Sequence, residues 1–127
     1  MSTRSHIAYL NQDDYKIHCI YCQHDGYLSY NGKVLLESKN SYELAKELVE
    51  MGDTSGIDES MESCKKLVYA EGNKPKIFDD EKGLIGSIDC FIEFTYLFRD
   101  GKWFYIDGDD TPFVELIKEA INKEYEG

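Results

Sequence analysis

Positive charge is scarce in this chain. Its 127 residues hold 14 lysines and arginines against 25 aspartates and glutamates, a net charge of −11. Arg4 and Arg99 are the only arginines. A field of that sign repels phosphate backbones at long range, so no direct nucleic-acid binding is expected. Long apolar runs are missing too. No stretch approaches the ~20 residues that cross a bilayer. Arg4, His6 and Asn11 interrupt the start, where an export signal carries its apolar core. Without such a signal, the four cysteines read as reduced thiols of a cytosol. Internal repeats and low-complexity segments are absent. So are a nucleophile elbow, a P-loop and a dinucleotide fingerprint. No serine, histidine and carboxylate set stands at motif spacing, and no cofactor is implied. The chain reads as non-enzymatic on those grounds, although acid–base pairs can still assemble in space.

What is present supports a folded core. Hydrophobic residues make up 42% of the chain and aromatics 13%, including ten tyrosines and six phenylalanines. A chain this long buries enough surface to fold as one domain without staples. Thr3 to Leu10 and Tyr15 to Cys22 read as strands around a turn at Gln12-Asp13-Asp14. A tight turn there sets Leu10 opposite Lys16, Ile7 opposite Cys19 and Ser5 opposite Tyr21. The core face then carries Ile7, Tyr9, Ile17, Cys19 and Tyr21, and a slip of one residue would exchange the faces. Val34-Leu35-Leu36 forms a short helical segment beginning at Asn31 or Gly32. A second helix starts at Asn40 as N-cap with Glu43 closing a capping box, buries Leu44, Ala45, Leu48 and Val49, and ends at Gly52.

Ile57, Met61, Cys64 and Val68 have helical spacing, with a strand over Lys65 to Ala70 as the alternative. Asn73 to Gly86 reads as a long surface connection. Phe91 to Phe98 and Lys102 to Ile106 flank Asp100-Gly101, a type I′ hairpin signal. That turn pairs Phe98 with Trp103 and Tyr96 with Tyr105 on one face, and Leu97 with Phe104 on the other. A final helix takes Thr111 as N-cap and Pro112 at its first position, with Phe113, Leu116, Ile117, Ala120 and Ile121 on one stripe. The expected architecture is a single α+β domain. It has an antiparallel sheet of four or five strands, from two hairpins, with two to four helices packed mainly on one face.

Four constellations bear on chemistry. Cys19 and Cys22 have C-x-x-C spacing, but Ile20 and Tyr21 between them favour a strand, which sends the sulfurs to opposite faces. His18, Cys22 and His24 alternate along one strand with His6 across the hairpin, a pattern able to converge on zinc. A polar sheet face is the plainer reading, and no metal is assigned. Arg4 with Tyr21, Asp25, Tyr27, Tyr30 and Lys33 can hold a nucleotide-like ligand, because arginine forks anions and tyrosine faces stack on planar rings. The plainer reading of that corner is an Arg4–Asp25 clamp. Asp107-Gly108-Asp109-Asp110 is too short for a calcium loop and reads as a turn.

Several segments together resemble a family. Met1-Ser2-Thr3-Arg4-Ser5-His6-Ile7-Ala8, Ile20-Tyr21-Cys22 with Asp25-Gly26-Tyr27, and Asn31-Gly32-Lys33-Val34-Leu35-Leu36-Glu37 are similar to small phage and prophage proteins. The segments Glu50-Met51-Gly52-Asp53 and Tyr96-Leu97-Phe98-Arg99-Asp100-Gly101-Lys102-Trp103 also resemble that family. Residues 55–90 lie outside the likeness. His24 stands where such proteins often carry tryptophan, and Leu28 where they often carry proline. The resemblance implies a phage setting in the host cytoplasm. The expected function is non-enzymatic inhibition of a host defence system, in the manner of an anti-CRISPR protein. The partner would be a host defence protein or nucleoprotein effector. Asp79, Asp80, Glu81, Asp107, Asp109 and Asp110 would occupy its basic nucleic-acid-binding surface, anchored by exposed tyrosines. Two alternatives are a small-molecule binder that sequesters a nucleotide immune signal at the Arg4 corner, and a metal-assisted nucleotide-processing enzyme. A homodimer through the aromatic face of the C-terminal hairpin is a further one.

Overall fold

The computed structural model describes residues 3–109 and 112–126. Among them are six strands and five α-helices: β1 (Arg4–Leu10), β2 (Ile17–Cys22), α1 (Lys33–Ser38), α2 (Tyr42–Glu50), α3 (Met61–Leu67), β3 (Lys76–Phe78), α4 (Glu81–Gly86), β4 (Ile92–Arg99), β5 (Lys102–Asp107), β6 (Val114–Glu115) and α5 (Lys118–Glu126). A π-helical turn, Leu28–Gly32, leads into α1.

The strands form one open sheet in the order β3-β2-β1-β4-β5-β6. The fold is α+β, as expected, but the sheet has more strands and is mixed. β1 and β4 run parallel, joined by the crossover that carries α1 to α4. Two hairpins need not meet antiparallel once a long helical connection separates them.

The two hairpins compare differently with the sequence. Asp100 (φ 53) and Gly101 (φ 78) take the left-handed conformations a type I′ turn requires. The β4–β5 register follows: Phe98 faces Trp103, Tyr96 faces Tyr105 and Leu97 faces Phe104. The aromatic face of this hairpin is interior, since Tyr96, Phe98 and Trp103 are all buried.

The first hairpin is out by one residue. Ser5 pairs with Cys22, Ile7 with Ile20 and Leu10 with Ile17. The cause is Asn11. Its side-chain oxygen accepts from the Asp13 and Asp14 amides at 2.7 and 3.2 Å. Its carbonyl accepts from Tyr15 N, and Tyr15 takes a positive φ of 56°. This wider loop closes through Asn11 N to Lys16 O at 2.9 Å. Ile7 and Tyr9 therefore share a core with Ile20 and Cys22, while Ile17 and Cys19 pack on the other face with Ala8. Tyr21 is on that second face too. The cysteines are split across the sheet as strand alternation requires.

Most helices lie on the first face. Leu35 of α1, Ala45, Leu48 and Val49 of α2, Cys64 of α3 and Ile121 of α5 bury against Ile7, Ile20, Tyr96 and Trp103. α4 instead puts Leu84 on the second face with Leu97, Ile106 and Phe113. The N-cap of α2 is Ser41, not Asn40: the Ser41 hydroxyl accepts from Leu44 N at 3.2 Å. Gly52 (φ 97) follows that helix. Ile57 is buried but precedes α3, which spans only Met61–Leu67. The stretch from Asn73 to Gly86 is no bare connection, since it holds β3 and α4. Pro112 does not open a helix. Val114–Glu115 extends the sheet along β5, because the free edge of β5 satisfies that backbone better than a helical turn would. Phe113 is thereby sent to the second face, away from Leu116 and Ile121. Thr111 and Asp110 lie outside the described residues. No helix among them is long and apolar enough to cross a membrane.

Candidate functional site

The structure divides the Arg4 group in three. Asp25 and Tyr27 belong to a clamp. Asp25 has φ 60°, its carbonyl accepts from Asn31 N, and Gly26 N donates to Thr3 O at 2.8 Å. The Tyr96 hydroxyl donates to Gly26 O at 2.6 Å from β4. Glu124 of α5 accepts from the Leu28 and Ser29 amides at 2.9 and 2.6 Å, capping the π-helical turn. This corner thus joins β1, β4, α1 and α5. No Arg4–Asp25 ion pair helps it. Tyr30 and Lys33 line a separate small recess beside Asp58 and Glu59.

Arg4 and Tyr21 meet elsewhere. They are on the second face, in a cleft of about 290 Å³. Even positions of β1 and odd positions of β2 project there, so the one-residue shift of register is what brings His6, directly opposite Tyr21, into the same cleft. β2 changes its edge partner at this point. β3 pairs with Ile17 to Cys19, whereas Thr54 takes over at Tyr21 and Gln23, donating to Tyr21 O at 2.9 Å and accepting from Gln23 N. The cleft sits in that fork. Asp53 is fixed in it by accepting from Tyr21 N at 2.9 Å, and Asp89 by accepting from Phe91 N at 2.8 Å.

Two cations line the cleft, Arg4 and Lys76. Neither makes an ion pair among the described residues. The Arg4 guanidinium lies over the Phe91 ring, 5.6 Å from its centroid, which orients it without neutralising it. His6 is held neutral: burial lowers its pKa, with Asp89 pulling the other way. Its Nδ1 is buried with no partner. Across the parallel pair, Thr95 Oγ1 is likewise buried and unpartnered.

Nucleophile-type side chains in the cleft are not activated. Burial pushes the Cys19 thiol up to about 12, so it stays protonated at neutral pH. The Ser87 hydroxyl donates to Leu84 O at 2.6 Å. The cleft offers two cations, a neutral imidazole, two carboxylates each with one oxygen engaged, and aromatic rings.

No protein family, curated protein or solved structure matches this chain.

The zinc pattern does not converge. His6 is on the second face, while Cys22 is buried on the first beside Asn31, whose side-chain nitrogen lies 3.4 Å from its sulfur. His18 is already engaged on both nitrogens, Nδ1 to Glu50 Oε2 at 2.6 Å and Nε2 to Asp14 Oδ2 at 2.8 Å. Tyr9 also donates to Glu50 Oε2 at 2.6 Å, and Asn11 donates to the Tyr9 hydroxyl at 2.8 Å. Among the described residues, no group of three or more histidines, cysteines and acids is placed to hold a metal.

The acidic residues form two sets at opposite ends of the β4–β5 ladder. Asp79, Asp80 and Glu81 lie at the β3–α4 corner. There Asp79 pairs with Lys16 at 3.5 Å, Asp80 caps α4 through Gly83 N, and Glu81 pairs with Arg99 at 2.9 Å. Asp107 is opposite Phe94, five residues back along β4 from Arg99, or ~17 Å at strand rise. Asp109 is an exposed turn residue beyond it. Sequence reasoning missed Lys76, Asp53 and Asp89. Each belongs to the middle of the chain, where periodicity was weak, and only the fork at β2 brings them to Arg4.

Proposed function

We propose that this chain is a non-enzymatic, phage-type counter-defence protein that captures a small anionic, ring-bearing ligand of the nucleotide class in the Arg4 cleft. The observation that carries the reading is the pairing of two cations, Arg4 and Lys76, which make no ion pair among the described residues, with Tyr21 and Phe91 around one concavity that also holds the Asp53 and Asp89 carboxylates. The net charge of −11 opposes anions at a distance. That field is screened beyond ~8 Å at physiological salt, so inside the cleft the balance of Arg4 and Lys76 against Asp53 and Asp89 decides affinity. The cleft is near the small end of the usual range for ligand sites.

Calorimetric titration with adenosine and guanosine monophosphates tests this. Arg4→Ala should abolish binding while the thermal melt stays unchanged, and should abolish protection of phage from host defence in infected cells. Absence of any anion binding to the wild-type chain at millimolar ligand sinks the proposal.

A second reading keeps the acidic surface as the agent, docked on a basic nucleoprotein effector of host defence. Exposure of Asp79, Asp80, Asp107 and Asp109 favours it. The separation of the two sets requires a partner that spans both ends of the hairpin. Affinity captured from host lysate should fall with ionic strength; a salt-independent affinity removes this reading.

A further inference from the structure

Past Tyr21 the cleft opens into a second recess of different chemistry, of about 480 Å³. The two share Tyr21, Asp53 and Asn73 as a common wall. No lysine or arginine lines the second one; Tyr69, Ala70, Glu71 and Gly72 complete it. Its charged lining is the Asp53 and Glu71 carboxylates with no cation to offset them, so a phosphate is repelled there, whereas in the first cleft Arg4 and Lys76 offset Asp53 and Asp89. A planar base with an exocyclic amino group is not repelled from the second recess, because carboxylates accept its N–H and tyrosine faces stack on its ring.

The recess is also built rather than incidental. The Tyr69 hydroxyl donates to Gln23 Oε1, and Tyr69 N donates to Asp53 O at 3.2 Å. Gly72 closes the turn by donating to Tyr69 O at 3.0 Å. A Cβ on Gly72 would stand 3.0 Å from both Asp53 O and Tyr69 Cβ, so this backbone is held close. Gly52, at φ 97°, lets Asp53 N reach Asn73 O at 3.0 Å and fixes the far wall. Among the described residues neither the Tyr69 nor the Tyr21 ring stacks on another ring, and the Tyr21 hydroxyl makes no hydrogen bond. The shared wall therefore presents an idle aromatic group to both compartments.

We infer that the Tyr69 recess is a base-binding subsite, so that a nucleoside monophosphate places its phosphate between Arg4 and Lys76 and its amino-bearing base against Tyr69 and Tyr21. This rests on the ligand class proposed above and adds the orientation and the base preference. Stacking on an aromatic side chain is worth roughly tenfold or more in affinity per base.

The test titrates ribose 5-phosphate, adenosine monophosphate and uridine monophosphate into the wild-type chain, Tyr69→Ala and Tyr69→Phe. Expected for the wild type is adenosine monophosphate binding about tenfold tighter than ribose 5-phosphate, with uridine monophosphate weaker than adenosine monophosphate. Tyr69→Ala should close the gap to ribose 5-phosphate without altering affinity for the sugar phosphate itself. Tyr69→Phe, which keeps the ring, should retain the gap and controls for folding. Nucleotide affinity unchanged in Tyr69→Ala overturns the subsite and leaves the Arg4 reading standing. Failure of every phosphate, ribose 5-phosphate included, to bind the wild type overturns both.

Discussion

Replacing Gly26 with alanine should destabilise the fold by about 3 kcal/mol. The added Cβ would stand 2.8 Å from Thr3 O, 2.8 Å from Ser5 Cβ and 3.0 Å from Ser5 Oγ. Two of these belong to backbone or to a first side-chain carbon, which cannot swing away, so β1 and the corner must separate. Overpacking of this kind costs about 1–3 kcal/mol. The separation also lengthens the Gly26 N to Thr3 O bond, now 2.8 Å, and disturbs the Tyr96 hydroxyl bond to Gly26 O, now 2.6 Å. Each loosened bond adds roughly 0.5–1 kcal/mol. Gly26 does not have a positive φ, so alanine's smaller unfolded-state entropy returns about 0.4–1 kcal/mol. The net falls near 3 kcal/mol, or about 10 °C in melting temperature for a chain this size. Thermal and guanidinium unfolding followed by circular dichroism measure it. Tyr96→Phe should cost about 1–2 kcal/mol, because the buried Gly26 carbonyl loses its donor. The double variant should cost less than the sum, since both act on one carbonyl. A Gly26→Ala variant as stable as wild type would refute the reasoning, for it would mean that the first strand is not clamped at Thr3.

Three further outcomes are expected. Tyr9→Phe should lower the urea midpoint by an amount equivalent to about 1–3 kcal/mol, because Asn11 Nδ2 loses a buried acceptor and Glu50 loses a donor. Stability should fall steeply above pH 9. Burial raises the thiols of Cys19 and Cys22 to about 12 and about 11, so the unfolded chain loses those protons first, and their contribution, full below about 9, disappears as pH rises through 11 and 12. A Cys19→Ala, Cys22→Ala double variant should flatten that limb, and an unchanged pH profile would refute the assignment. At the acid end, the Asp14 carboxyl is lowered, chiefly by its hydrogen bond with His18. Its contribution is present above the ordinary carboxylate range and is lost as pH falls through the lowered folded value. An Asp14→Asn variant should therefore show a shallower acid limb in pH-dependent melts.

The β4–β5 hairpin could be read locally because its signals are local. Asp100-Gly101 demands one turn type, and that turn fixes every pair from Arg99–Lys102 to Phe94–Asp107. The first hairpin has no such turn. Its register depends on the Asn11 side chain competing for the loop amides, which strand periodicity does not encode. The candidate site inherited that uncertainty. Arg4 and Tyr21 were recognisable as ligand-type residues, yet Asp25, Tyr27, Tyr30 and Lys33, near them in sequence, point into the clamp and a different recess.

The sequence by itself determined the α+β class, the cross-strand pairs of the aromatic hairpin, the splitting of Cys19 from Cys22 and the acidic field. Each follows from alternation, turn chemistry or composition, which act over a few residues or over none. Tertiary structure alone decided the parallel pairing of β1 with β4, the addition of β6 where a helix was expected, and the assembly of the cleft. These depend on which backbone edges are free when distant segments meet. The edge of β2 is shared between β3 and Thr54, and that division places Lys76, Asp53 and Asp89 around Arg4 and His6.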